Sequence, residues 1–397
     1  MLFDVEDLKR KDVIELKSSV EQDEITDRIS TAFDIVFDGS ANVSIKVPKF
    51  PKDFGIGLIV GSSGSGKSTL LKQFGEEEKI EWDEHKCVAS HFNSFDEACK
   101  KFGAVGFGAI TAWLRPYHAL STGERFRVDM ARSLHDNAVI DEFTSVVNRE
   151  CAISCSNSIN KYIRNNNLKN IVFASCHDDI IDYLRPDWVY NTDKKELSFG
   201  RSVRQRPSIV LEVNQCTEQV WCMFAKYHYL SADINPAADC YIVTYNHLPI
   251  AFCAVLSMAG KFSNTDKRHC VTEHRLVVLP DYMGMGIGKR LSEYVAELYV
   301  SQGYRYFSKT ASPMLGEYRQ LSKKWRPTST NLKKVKKLSD VTEDEVRKMM
   351  RPDSRNRSYE SCVLSLTRLC YSHEYIGDEN TVVGEQTYNT DKQYRLF

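Results

Sequence analysis

Two glycine-rich turns, each closed by a lysine and lying about 220 residues apart, restrict this chain more than any other feature. The first, Gly61-Ser62-Ser63-Gly64-Ser65-Gly66-Lys67-Ser68-Thr69, is a complete G-x-x-x-x-G-K-S/T loop. Apolar residues 57–60 before it read as a strand, and residues 68–74 after it as a helix. Such a turn presents backbone N–H groups and a helix N-terminus to an anion. Lys67 is expected to neutralise phosphate charge and Ser68 to ligate Mg²⁺. The second turn, Gly284-Met285-Gly286-Ile287-Gly288-Lys289, follows a strand-like run at 276–279. It opens an amphipathic helix over 286–299, with Leu291, Tyr294, Val295 and Leu298 on one face. Alternating strands and helices around two anion turns predict an α/β chain with a nucleotide site and a second phosphate-bearing ligand.

At 397 residues the chain has room for two or three domains, and 42% hydrophobic residues can fill their cores. Its formal net charge is zero. The charged start, MLFDVEDLKRKD, is not a signal peptide. The most apolar stretch, 241–260, is interrupted by Asn246, His247 and Pro249, so it reads as a hairpin and not as a membrane span. A cytoplasmic protein without a membrane segment is expected. Twelve scattered cysteines with no CxxC pair fit reduced, packed thiols. Residues 33–37 and 43–47 look like strands, as do 138–140 and 171–174, and 105–135 looks helical. In the C-terminal half, strands are expected at 209–213, 241–245, 250–256 and 304–307, and helices at 218–227 and 311–322. The polar, basic segment 191–206 marks a boundary, which divides the chain into 1–205, 206–375 and a polar tail, 376–397.

The first turn has companions. Ala138-Val139-Ile140-Asp141-Glu142 is an apolar run ending in two carboxylates: Asp141 suits the Mg²⁺ shell, and Glu142 can polarise the attacking water. Leu120-Ser121-Thr122-Gly123-Glu124 precedes it, and Cys176-His177-Asp178 follows another apolar run. This order of phosphate loop, LSGGQ-like signature, carboxylate strand and histidine resembles the ABC-type ATPases over about 25–205. The resemblance implies that His177 is the switch histidine. It also implies that Ser121, Gly123 and Glu124 reach a nucleotide held by another subunit, so that ATP is sandwiched in a homodimer. Family members carry a glutamine between loop and signature. None occurs between Gln73 and Leu120 here, and Asn93 stands in its place. Phe143 and Asn148 replace a usual proline and aspartate. Roughly fifty residues separate Lys67 from Ser121, too few for a long coiled-coil insertion.

The second turn and its flanks resemble the GNAT acyltransferases over about 207–375. The resemblance implies that acetyl-CoA, or another acyl-CoA, lays its pyrophosphate on Gly284, Gly286, Gly288 and Lys289, beside Val278. Met283 stands where the family has Gln or Arg. Tyr318 is the expected acid for the departing thiolate. Glu273 and His274, at the start of the central strand, are candidate bases. Tyr227-His228-Tyr229 is similar to the His-Tyr pair of Mom-type phage proteins that modify adenine in DNA, which adds His228.

Charge is uneven. From Arg319 to Arg357 there are thirteen Lys/Arg against five Asp/Glu, a balance of +8, so the remainder carries −8. Trp325 lies among Lys323, Lys324 and Arg326, and Lys333, Lys334, Lys336 and Lys337 follow. Basic residues interleaved with an aromatic suit a phosphate backbone and stacked bases, so nucleic acid is the expected partner. The combined expectation is an ABC-type ATPase followed by a GNAT-like domain that acylates a base amine in DNA or RNA. The alternatives are a protein or small-amine acceptor, or an ATP-gated nucleic-acid clamp with a non-catalytic second domain.

Overall fold

The computed structural model describes residues 13–200, 209–228, 233–258, 268–333, 338–350, 359–378, 381 and 394–395. The chain forms two compact units, each discontinuous in sequence. The first comprises 1–80, 132–146 and 160–205, and the second 81–131, 147–159 and 206–397.

The first unit is built on a five-stranded sheet. Its order is Val139–Ile140, Ile171–Ser175, Ile56–Val60, Trp188–Asn191 and Glu196–Phe199. Neighbours are parallel except for the last pair. Ile56–Val60 and Ile171–Ser175 are wholly buried, which is why they read as continuous apolar runs rather than alternating ones. Gly57 is required here because a Cβ would lie 2.1 Å from the Trp188 ring of the neighbouring strand. Trp188 stacks on Phe74 and packs against Phe50 and Phe54, and these rings fill the core beneath the phosphate loop. Residues 33–37, expected as a strand, are instead the end of helix Glu24–Phe33 and the chain leaving it. A capping box between Asp23 and Thr26 starts that helix, and Asp34 at φ 55° stops it. These local signals override the alternation.

The second unit carries an eight-stranded sheet. The order is Trp325–Pro327, Tyr371–Tyr375, Arg305–Thr310, Cys270–Val278, Leu248–Ser257, Asp239–Tyr245, Val210–Cys216 and Tyr394–Arg395. The expected hairpin forms: Asn246 and His247 occupy its two-residue turn at φ 49° and 64°, the left-handed pair that matches strand twist. Helix Ile287–Ser301 covers one sheet face, with Leu291, Val295 and Ala296 against Ala251, Cys253 and Val255. Trp221, Phe224 and Phe252 pack on the other face. The helix expected at 218–227 is two short 3₁₀ turns, Glu218–Met223 and Ala225–Tyr227. Within the expected tail, Tyr394–Arg395 pairs with Val210 and Leu211 at the sheet edge, while 382–393 lie outside the described residues. All twelve cysteines are free. Among the described residues no helix is long and apolar enough to cross a membrane.

Candidate functional site

The phosphate loop has the geometry its sequence requires. Gly64 and Gly66 sit at φ 77° and 91°, where a side chain would be strained. The N–H groups of Ser63, Gly64, Gly66, Lys67, Ser68 and Thr69 make no hydrogen bond to any described residue. Lys67 Nζ meanwhile donates to the carbonyls of Gly61 and Ser62, at 2.9 and 2.7 Å. Sequence reading missed the brace behind the loop. Asp193 accepts from Ser62 N–H and Ser62 Oγ, and these bonds hold its carboxyl below the usual range. Thr192 Oγ1 meets Ser65 Oγ at 2.6 Å. Both residues follow strand Trp188–Asn191, and nothing local to the loop motif announces them.

Asp141 and Glu142 leave the end of strand Val139–Ile140, in the same unit as the loop. Glu142 has φ 47° and Thr144 φ 69°, conformations that cost about 1–3 kcal/mol each and concentrate at working sites. Asp141 Oδ1 accepts the Glu142 N–H, and Glu77 Oε1 accepts the Asp141 N–H. Burial raises the Glu77 carboxyl, and the charges of Asp141 and Glu142 push it the same way. Glu77 is thus a third acidic group at this point, unmarked by any motif. His177 Nδ1 lies 3.1 Å from Thr144 Oγ1, so the switch-histidine candidate is tied to the carboxylate loop.

Ser121, Gly123 and Glu124 begin helix Thr122–Ser133 in the second unit. Ser121 N–H donates to Glu124 Oε2, and Glu124 N–H reaches Ser121 Oγ, a reciprocal cap that leaves Ser121 and Thr122 exposed. Asn93 also belongs to this unit. It donates both its N–H and its amide to Glu97 Oε2 in helix Phe95–Ala104, whose cap is Ser94. That bond accounts for Asn93 without a nucleotide.

The second glycine turn is equally open. Gly284 and Gly286 have φ 86° and 87°. The N–H groups from Gly284 to Lys289 make no hydrogen bond to any described residue, and Gly286 caps helix Ile287–Ser301. Gly288 lets the helix seat against the strand, since a Cβ there would come 3.3 Å from Val278 Cγ2. Burial lowers the Lys289 ammonium, as does the neighbouring Arg290, and Glu293 opposes them.

A cleft of about 150 Å³ lies beside this turn. Strands Cys270–Val278 and Arg305–Thr310 pair only over Cys270–Thr272 and Arg305–Phe307, then part. A bulge at His274, between Glu273 and Arg275, bends the first strand away. Tyr227, His228, Glu273, His274, Val278, Met283 and Lys309 are among the lining residues, with Gly108 and Ile110 from the segment before the signature. His228 is 8% exposed and lies edge-on to Trp221. His274 Nε2 accepts from Asn235 N–H. Glu273 is held tightly. Arg319 meets both its oxygens, and Ser292, Ser308 and Tyr306 donate to it. Tyr318 does not line the cleft. Its hydroxyl donates to Glu293, and burial followed by that bond pushes it up to about 12. A larger cleft, about 210 Å³, runs along the turn helix at Leu211, Ile287 and Leu291, and contains none of the candidate catalytic groups.

The basic stretch is less available than its composition implies. Arg319 is buried on Glu273, Lys324 pairs with Asp378, Arg326 with Glu374, and Arg347 with Glu343. Trp325 is 4% exposed, packed on Tyr306 and Tyr375, with Arg319 over its ring, so it offers no face to a base. Strand Trp325–Pro327 turns this one ring inward and leaves Arg326 and Pro327 exposed. Lys323 and Lys333 are exposed. Lys334, Lys336, Lys337, residues 351–357 and Tyr229 lie outside the described residues.

No curated protein matches the sequence. Two solved structures similar to the chain are titled the dimeric structure of MJ0796, a bacterial ABC transporter cassette, and a post-hydrolysis state of the same cassette bound to ADP and Pi. The first has 16% identity and a TM-score of 0.30, covering 38% of this chain and 87% of that one. The second has 16% identity and a TM-score of 0.27, covering 38% and 84%. Residues 207–317, which carry the glycine turn, the bulged strand and all of the cleft lining but Gly108 and Ile110, match the model of the Acetyltransferase (GNAT) family.

Proposed function

We propose that the chain is an ABC-type ATPase joined to an acyl-CoA-dependent N-acyltransferase. One observation carries this reading: two glycine turns in one chain, each with a run of N–H groups that bond to no described residue. In the first unit Lys67 would turn from its carbonyl acceptors to ATP phosphates. Ser68 and Asp141 would hold Mg²⁺, which would supply charge neutralisation. Glu142 polarises the attacking water, and Thr144 orients His177 beside it. The exposed Ser121 and Thr122 suit contact with a nucleotide held by a second copy, so the working ATPase is a homodimer. A cytoplasmic setting follows for a chain acting on soluble nucleotide and acyl-CoA.

In the second unit the turn from Gly284 to Lys289 takes the pyrophosphate of acyl-CoA, and the parted strands take its thioester arm. The acceptor amine attacks the thioester carbonyl. The C–N bond forms, the C–S bond breaks, and the amine proton passes through the base to the leaving thiolate. We assign His228 as that base because it lines the cleft. Glu273 is unsuited, since Arg319 takes both its oxygens. Tyr318 serves the Glu293 contact instead of the thiolate. A base amine of DNA or RNA keeps its charge argument through Lys323 and Lys333, but loses the stacking argument with Trp325. A protein or small amine therefore stands beside it as acceptor. The occupied state of Glu273 and Tyr318 favours one second reading, a nucleotide-gated module that binds acyl-CoA without transfer.

Radiolabelled acetyl-CoA, mixed with the full chain, ATP and in turn DNA, RNA or lysine peptide, separates these readings. Transfer to an amine that disappears in His228→Ala supports catalysis, and nuclease-sensitive label identifies nucleic acid. Binding of acetyl-CoA without transfer to any of the three overturns the transferase and leaves the binding module.

A further inference from the structure

Among the described residues, the buried cation of helix Thr122–Ser133, Arg127, forms no ion pair. Arg127 is 3% exposed. Among the described residues its guanidinium meets the Val105 carbonyl, Ser154 Oγ at 2.7 Å, the Pro280 carbonyl at 3.3 Å and the Cys151 thiol, and none of these is a carboxylate. A buried charge without a carboxylate is costly, and an anion bound nearby offsets that cost.

The anion turn is next to it. Pro280 opens the segment that leads to Gly284. A Cβ on Gly106 would lie 2.8 Å from the Met283 carbonyl, 2.9 Å from Arg127 Nη1 and 3.2 Å from Ser158 Oγ. A Cβ on Gly284 would lie 2.1 Å from Ser158 Oγ and 2.9 Å from the Gly106 Cα. Asn157 Nδ2 donates to the Gly284 carbonyl at 3.3 Å, and Asn148 Nδ2 to Asp281 at 2.9 Å. The turn therefore rests on the Gly106 backbone, in the segment preceding Leu120, and on the Ser158 and Asn157 side chains of helix Arg149–Asn165. Gly106 and Gly284 meet with no side chain of their own between them, so a shift of one backbone is passed to the other.

We propose that Arg127 is a positioning residue that couples the Ser121 end of its helix to the acyl-CoA turn. It holds the Pro280 carbonyl, adds positive potential beside the bound pyrophosphate, and carries displacement of its helix to Gly284 through Val105 and Gly106. The proposal rests on the nucleotide and acyl-CoA readings above. It adds that ATP alters acyl-CoA affinity, and that acyl-CoA alters ATP affinity by the same factor.

The test is calorimetric titration of CoA into the full chain carrying Glu142→Gln, with and without ATP. ATP is expected to shift CoA affinity roughly fivefold or more. Added Arg127→Met is expected to weaken CoA binding roughly tenfold and to abolish the shift, while ATP affinity in the absence of CoA is unchanged. Arg127→Lys restores part of both. If Arg127→Met fails to fold, as judged by its melting temperature, Asn157→Ala decides: weaker CoA binding with a reduced shift supports the proposal, and parental values for both overturn it. A folded Arg127→Met with parental affinity and shift also overturns it. A parent that binds CoA and ATP independently removes the coupling and leaves both sites standing. A parent that binds ATP but no CoA removes the acyl-CoA reading, and this proposal with it.

Discussion

Arg319 Nη2 lies 3.0 Å from Glu273 Oε1, with side-chain exposures of 1% and 6%, so a residue expected to be a catalytic base sits in a buried ion pair. Ser308 and Ser292 complete the network, and the guanidinium also caps the Trp325 ring at 4.4 Å. Removing one member leaves an uncompensated buried charge. Arg319→Met is expected to cost about 3–5 kcal/mol in urea unfolding. The double variant Arg319→Met with Glu273→Gln should recover part of that loss, because it removes both charges. Equal stability of the single and double variants would show that the pair is not coupled.

A second ion pair gives a pH dependence. Burial alone would raise the Asp187 carboxyl. The Arg164 guanidinium and the N–H groups of Ile56 and Gly55 outweigh burial and hold it below its ordinary value. A carboxyl depressed in the folded state adds stability above its unfolded pKa, and that contribution is lost as pH falls through the folded value. Wild type should therefore exceed Asp187→Asn in stability at neutral pH, and the two should converge below about pH 4. Thermal melts across pH 2–7 check this, and a gap that stays constant with pH would contradict it.

Gly284 tolerates no side chain. At φ 86°, with Ser158 Oγ 2.1 Å from the position of a Cβ, Gly284→Ala must displace the turn. CoA affinity should fall roughly tenfold or more by calorimetry. Gly103→Ala is the control. Its Cβ would meet only the Met314 side chain, at 3.3 Å, so CoA binding there should stay unchanged.

Glu142 and Lys67 should separate chemistry from binding. Glu142→Gln keeps the loop that cradles phosphate and removes the group that polarises water, so ATP turnover should fall roughly 10²–10⁴-fold with ATP still bound. Lys67→Ala should lose the binding itself. Phosphate release and a fluorescent-nucleotide titration read the two effects. An active Glu142→Gln would move the base to another group, with Glu77 the nearest candidate through its bond to Asp141.

The parts legible in the sequence were those whose geometry is local. Both glycine turns, the carboxylate strand end and the hairpin are set by a few consecutive residues, because backbone φ and neighbouring N–H groups define them. Side-chain roles were decided by partners far along the chain. Tyr318 faces Glu293, 25 residues away, Glu273 faces Arg319, 46 away, and Ser62 is braced by Asp193, 131 away. Trp325 looked like a stacking platform in a basic run, and packing on the sheet buried it against Tyr306 and Tyr375. Arg127 carried no motif, and only packing brought it to Pro280, 153 residues on. Periodicity and turn chemistry fix which backbone shapes form. Which of two polar groups becomes a base, and which a buried counter-charge, depends on the local dielectric and the nearest opposite charge, and both exist only once the sheets have packed.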